Sequence, residues 1–288
     1  MKQRIPWPIK FAIKVAIGIT GVDYKLLKRA RIVEHGRMED AGFSVEVFNR
    51  HVAAPRRDLL LGCAGVLLEL GPGDSIATGV LGRVAGFSEV VLIDAGCFAD
   101  IKPEAINRLF VSLGDHAHSV KADADPRTVT AQLHAAGISY LTDGLRSLQS
   151  IAPGRVSHSF SNSVLQHVYR DELAEFIEAL GRAHAAGSLS SHSINFTDHF
   201  SGGYVNHRLP GWVMESALIK RANLYTNRVS PRDFAGLFAA AGFAVRRVEV
   251  DFYESKPVAF CAYDCAEAFT DGVGSRRVLR AIFLLRKN

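Results

Sequence analysis

Short unbroken apolar runs alternate along this chain with longer segments whose apolar residues recur every three or four positions. Val66–Leu70 (VLLEL), Val90–Ile93 and Ile138–Leu141 are such runs, the pattern of strands buried on both faces of a parallel sheet. A fourth, Val156–Asn162 (VSHSFSN), is less regular. After the first run Ile76, Val80 and Val84 recur at helical spacing, and after the fourth Leu173, Phe176, Ile177 and Leu180 do the same. AAGSLSSHSINFTDHF then reads as a glycine-started strand and a polar loop. Pro231 opens a helix with Phe234, Leu237 and Phe238 on one face, closed by Gly242, and Val245–Phe252 and Val278–Leu285 are the last strands. Strands alternating with helices predict an α/β fold with a doubly wound, mostly parallel sheet of seven strands.

Two segments fall outside that alternation. Residues 1–60 predict a helical N-terminal extension ending in FNRHV and a loop AAPRRD, ahead of a main domain over 61–288. Residues 201–230, inserted after the fifth strand, mix Gly, aromatics, Asn, His and Arg without a regular period. Such a stretch is a candidate lid, or a surface insertion that packs Trp212 and Tyr225.

The turn after the first strand, GPGDS, carries the first chemical signal. Gly71 and Gly73 permit backbone conformations and ligand approach that a Cβ would block, and Asp74 and Ser75 are good N-cap types. The dinucleotide fingerprint fails, because Ile76 stands where its third glycine belongs, and no Gly-Lys pair makes a P-loop. Glu69 and Asp74 bracket the turn with negative charge, which repels pyrophosphate but suits a ligand bearing a cationic amine and ribose hydroxyls. Asp94 ends the second run 23 residues after Gly71, close to the spacing at which a second-strand carboxylate reaches a ribose.

With these pieces in order (LLELGPGDS, VVLIDAG, YLTDG, SFSNSVLQHV and HAAGSLSSHSINFTDHF), the chain resembles the class I S-adenosylmethionine-dependent methyltransferases over roughly residues 60–200. The resemblance implies a Rossmann-like sheet closed by an antiparallel pair, and S-adenosylmethionine as cofactor. It implies that the Glu69–Gly73 turn, with Asp74, faces the methionine part, that Asp94 binds the ribose hydroxyls, that Asp143 approaches the adenine, and that Asn162 lies near the methionine end. Ser75 replaces a frequent third glycine. VFNRHV, DHF and TNRVSPRDF add a looser similarity to bacterial methyltransferases of surface polysaccharide or other glycan assembly.

Composition narrows the partners. With 48% hydrophobic and 22% charged residues the chain is globular in type. Its four cysteines, Cys63, Cys97, Cys261 and Cys265, form no zinc spacing, and their scarcity points to a reducing, cytoplasmic setting. Residues 1–40 hold nine Lys or Arg against four acids, an excess equal to the whole net charge of +5. A nucleic-acid enzyme would carry that charge around its cleft, so a nucleic-acid partner is not expected. FAIKVAIGITGV is too short to span a bilayer, and Lys14 interrupts it as a signal peptide. Lys10, Lys14 and Gly18 share one helical face, leaving Phe11, Val15 and Ile19 for another. This helix either rests on an anionic membrane as a peripheral contact or, the more ordinary reading, packs on the domain or in a homo-oligomer with its lysines solvated.

Acceptor chemistry is read by elimination. Ser161-Asn162-Ser163 lacks the two prolines of amino methylation of DNA bases, and no cysteine follows a proline as base-carbon methylation requires. Transfer to oxygen, nitrogen or an acidic carbon of a small-molecule or glycan acceptor remains, and a hydroxyl needs a base. His158, His167, His192, His199 and His207 follow or flank the fourth and fifth strands. His199 is the expected base, with Asp198 orienting it and His167 as its rival. His192, Asp198 and His199 are also acceptable metal ligand types, though at no recognised spacing. The alternatives are a methyltransferase of secondary metabolites and a non-catalytic binding protein, the latter disfavoured by the intact acids Glu69, Asp94 and Asp143. A nicotinamide-dependent oxidoreductase is disfavoured by Ile76.

Overall fold

Val66–Leu70 (β1) is buried along its whole length, and its alternate residues feed two separate cores. Val66, Leu68 and Leu70 face the core built on Leu173, Phe176, Ile177, Leu180, Phe234 and Phe238. Leu67 faces the other, with Val47, Phe48, Ile76, Val80 and Leu81. A strand that serves two layers has no polar face, which is why it reads as a continuous apolar run. In this computed structural model, residues 6–20, 38–102, 111, 131, 133–253 and 278–288 are described. Residues 21–37, with most of the N-terminal basic excess, and Cys261 and Cys265 lie outside them.

Glu89–Ile93 (β2), Ile138–Leu141 (β3), Val156–Asn162 (β4), His184–Asn195 (β5), Phe243–Phe252 (β6) and Val278–Lys287 (β7) complete the sheet. Its order is β3-β2-β1-β4-β5-β7-β6. The first five strands are parallel, and β7 runs antiparallel to both β5 and β6. The seven-stranded, doubly wound α/β sheet is therefore as expected, including its antiparallel closing pair. Chain order reverses direction between β1 and β4, and in open α/β sheets ligands bind beyond the carboxyl ends of the strands at such a switch point.

Helix Leu173–Ala183 buries Leu173, Phe176, Ile177 and Leu180, and Pro231–Ala240 buries Phe234 and Phe238. Other expectations are corrected. Ile76, not Asp74 or Ser75, stands at the N-cap position of helix Ala77–Val84 and makes no side-chain cap bond, while Ser75 Oγ accepts the Ala77 amide at 3.2 Å; Val84 is 41% exposed because its turn faces solvent. AAPRRD is no loop: Ala54–Asp58 continues helix Ala41–Phe48 through a π turn at Asn49–Ala53. Pro55, with no amide hydrogen, donates no bond back to the π turn that precedes it.

β4 and β5 fill the sheet centre with Ser and His. On one face Ser188, His184, Ser159, Ser190, His192 and Ser161 form a continuous hydrogen-bonded chain with links of 2.5–2.8 Å. On the other, His51 bonds Ser191 at 2.8 Å and His158 bonds the His51 carbonyl at 2.9 Å. His158 and His192 are thus wholly buried structural groups, which removes both from the candidates for acceptor chemistry.

Helix Trp7–Thr20 packs on the insertion after β5. Trp7, Phe11 and Val15 cover a cluster of Phe200, Val205, Met214, Ile219, Ala222, Leu224 and Tyr225, with Phe11 edge-on to Phe200 at 5.1 Å. A Cβ at Gly18 would meet that of Ala222 at 2.9 Å. The packed stripe is Phe11, Lys14, Val15 and Gly18, at the i, i+3, i+4, i+7 spacing of one face. Ile19, expected on the packed face, is 69% exposed. Residues 201–230 are more regular than their sequence suggested, with short helices Gly211–Met214 and Ala217–Arg221. Tyr225 is buried and Trp212 is 79% exposed. No helix among the described residues is long and apolar enough to cross a membrane.

Candidate functional site

A cleft of about 730 Å³ opens at the carboxyl ends of β1, β2 and β4 and is covered by the N-terminal helix and the insertion. Its sheet wall begins at the GPG turn. Gly71 and Gly73 have φ of 69° and 71°, in the left-handed region that glycine enters without penalty. A Cβ on Gly71 would lie 2.3 Å from Val164 Cγ2, so the turn after β1 and the loop after β4 approach as closely as backbone allows.

Glu69 and Asp94 both line the cleft beside this turn. Glu69 is 1% exposed and accepts a hydrogen bond from the Thr78 hydroxyl. Burial pushes its pKa up to about 8 against that bond, and the Asp94 charge pushes the same way. Asp94 accepts from the Gly73 amide at 3.1 Å and from its own neighbour Ala95 at 2.8 Å. Burial outweighs these bonds and raises its pKa to about 6. Both carboxylates would be relieved by a ligand offering hydroxyl donors or positive charge. Gly144 and Asn162 are also on the wall. Asp143 is exposed beside Gly144 and is not among the wall residues, its amide donating to Ser147. Asp74 is 5% exposed and off the wall, its carbonyl accepting the Asp100 amide.

The cap wall holds Lys14, His167, Tyr169, His199, Lys220, Asn223 and Tyr225. His167 and His199 stack with centroids 4.7 Å apart, and their Nε2 atoms are 3.1 Å apart. His167 Nδ1 lies 3.1 Å from the Tyr225 carbonyl. A carbonyl only accepts, so His167 carries its proton on Nδ1 and offers Nε2 as an acceptor. His199 must then donate from Nε2, which leaves its basic lone pair on Nδ1. Desolvation by the surrounding groups and the charge of Lys14 lower the His199 pKa, while the open edge of this exposed residue limits that shift.

Asp198 does not orient His199, contrary to expectation. It is 3% exposed, and its carboxylate accepts from the amides of Phe200, Ser201, Val205 and Asn206 and from the Ser201 hydroxyl. It organises its own loop, and His167 takes the orienting place. Nor do His192, Asp198 and His199 converge on one point: His192 is bonded to Ser161 and Ser190 inside the sheet. His207 sits half-buried beside Tyr204 at 5.9 Å and off the main cleft.

Sequence reasoning did not find Lys14, Tyr169, Lys220 or Tyr225 as wall residues. They come from three segments distant in sequence, the N-terminal helix, the loop after β4 and the insertion after β5, and no spacing within any one of them signals their meeting.

No protein-family model matches the chain, and no curated protein matches it. Solved structures with a similar course include three methyltransferases. One is an S-adenosylmethionine-dependent methyltransferase from Mesorhizobium loti, at 14% identity and a TM-score of 0.43, covering 81% of this chain and 96% of that one. A second, from Methanosarcina mazei, has 10% identity and a TM-score of 0.46, covering 81% and 97%. The third is a phosphoethanolamine N-methyltransferase from Haemonchus contortus in complex with phosphomonomethylethanolamine and S-adenosylhomocysteine, at 13% identity and a TM-score of 0.43, covering 83% and 53%.

Proposed function

We propose that this chain is an S-adenosylmethionine-dependent methyltransferase acting on a hydroxyl of a small acceptor, a sugar being the type favoured by the loose sequence similarity. The observation that carries this reading is the cleft at the β1/β4 switch point, with the GPG turn, Glu69 and Asp94 on one wall and the His167–His199 pair on the other. An acid-lined turn fits a cationic nucleoside ligand and disfavours a pyrophosphate, and the close approach of Gly71 to Val164 leaves the turn narrow.

When bound, S-adenosylmethionine supplies an electrophilic methyl group on a positively charged sulfur. The chain's own part is to hold that ligand and prepare the acceptor. Asp94 accepts hydrogen bonds from ribose hydroxyls, and Glu69 and Asn162 serve the amino-acid end. The N-terminal helix and the insertion cover the cleft and limit water. His199 Nδ1 takes the acceptor's hydroxyl proton as the oxygen is alkylated, and the bond from His199 Nε2 to His167 steadies the resulting imidazolium. Positioned general bases typically contribute about 10²–10⁴-fold.

The test is methyl transfer from labelled S-adenosylmethionine to a panel of hydroxylated acceptors, with His199→Ala and His167→Ala alongside. His199→Ala should lower turnover at least about a hundredfold, with partial recovery at high pH. His167→Ala should lower it less, since it removes only the orienting partner. Loss in His167→Ala with His199→Ala near wild type would assign the base to His167 instead.

A further inference from the structure

Acidic and basic side chains are divided between the two walls of the cleft. Its acids, Glu69 and Asp94, belong to the sheet wall, and its lysines, Lys14 and Lys220, to the cap wall. The lysines come from separate elements, the N-terminal helix Trp7–Thr20 and the helix Ala217–Arg221. Lys14 Nζ lies 3.5 Å from the Asn223 carbonyl, and the Asn223 amide donates to the Lys220 carbonyl. The packing of Phe11 on Phe200 and of Gly18 on Ala222 fixes the helix that carries Lys14.

Lys14 has no carboxylate within 4.0 Å among the described residues, and Lys220 has a long ion pair with Glu215 at 3.8 Å. Lys220 Nζ also rests 3.9 Å from the centroid of the Tyr169 ring, a contact that holds a cation in place without cancelling its charge. An ammonium drawn partly out of water is stabilised by an anion.

We propose that the acceptor carries an oxyanion, a phosphate or a carboxylate, seated between Lys14 and Lys220 on the cap wall. This rests on the methyltransferase reading and names the acceptor class. The arrangement links recognition to chemistry. Lys14 acts electrostatically on His199 and disfavours its charged form. An oxyanion on Lys14 offsets that repulsion, so an acceptor of the right charge improves the base that serves it, and a neutral acceptor does not.

Calorimetry on the full-length protein, with and without saturating S-adenosylhomocysteine, tests this with three probes sharing one ring: glucose 6-phosphate, glucuronate and glucose. At least one anionic probe should bind ten-fold or more tighter than glucose, and the preferred one identifies the oxyanion. In the Lys14→Ala/Lys220→Ala variant that preference should vanish while S-adenosylhomocysteine affinity stays within about two-fold; Lys14→Arg should retain the preference. Equal binding of all three probes, no binding of either anion, or an undiminished preference in the double variant would overturn the inference. Failure of S-adenosylhomocysteine to bind the wild type would instead remove the methyltransferase reading, with the anion preference still read on the protein alone.

Discussion

Replacing His184 by Gln isolates the cost of keeping histidines neutral inside the sheet. His51, His158, His184 and His192 are each 0–3% exposed. Burial depresses the pKa of His51 to about 4 and of His158 and His184 to about 3, and holds His192 well below its ordinary value. The folded state keeps all four neutral, whereas the unfolded chain protonates them as pH falls past about 6.5. The unfolded state then binds more protons, so the stability these groups contribute is present above pH 6.5 and is lost as pH falls from there toward the folded values.

Between pH 7 and 5.5 each such group removes slightly more than about 1 kcal/mol, and four remove about 5 kcal/mol. That equals the lower end of a typical domain's net stability, about 5–15 kcal/mol. Glu69 and Asp94 act in the opposite sense. Their folded pKa values of about 8 and about 6 lie above the unfolded ones, so the folded state takes up protons first and gains about 3 kcal/mol over the same window. The net loss from these six groups is about 2 kcal/mol. His184→Gln keeps an amide able to bond Ser159 and removes one titration. In urea unfolding at pH 7.0 and 5.5, the variant should lose about 1 kcal/mol less than wild type over that interval, whatever its stability at pH 7. Equal losses in the two proteins would refute the reasoning, because His184 would then be equally protonated folded and unfolded.

The GPG turn and Asp94, proposed to bind the ribose, make further predictions. Gly71→Ala should lower S-adenosylhomocysteine affinity more than about tenfold in calorimetry and cost about 1–3 kcal/mol of stability, because its Cβ collides with Val164. Gly154→Ala, with φ of 70° and nothing within 4 Å of its Cβ, should show the backbone strain alone and leave affinity unchanged. Asp94→Ala should weaken S-adenosylhomocysteine binding by about 1.5–3 kcal/mol. Wild-type affinity should fall as pH drops through about 6, where the Asp94 carboxylate protonates, and the variant should lack that dependence.

The fold was legible wherever burial on two faces left an unmistakable apolar run. Val66–Leu70 and Val90–Ile93 are such strands, and the GPG turn with Asp94 followed from spacing alone. The central strands were harder, because Ser and His there satisfy one another across strands, and hydrogen bonds between residues 25–140 positions apart leave no period in the sequence. Helices of four or five residues, as at 211–214 and 217–221, are too short to show one. The site was half legible. Its sheet wall comes from strand ends, which local pattern locates. Its cap wall is assembled by packing, and there sequence adjacency misled: Asp198 neighbours His199 but serves its own loop, while His167, 32 positions away, bonds the ring.

The most direct test of the account is calorimetry of the wild-type protein with S-adenosylmethionine, S-adenosylhomocysteine and NAD under one buffer condition. The account predicts micromolar or tighter binding of the first two and no detectable binding of NAD. Micromolar binding of NAD, with neither S-adenosylmethionine nor S-adenosylhomocysteine bound, would contradict it.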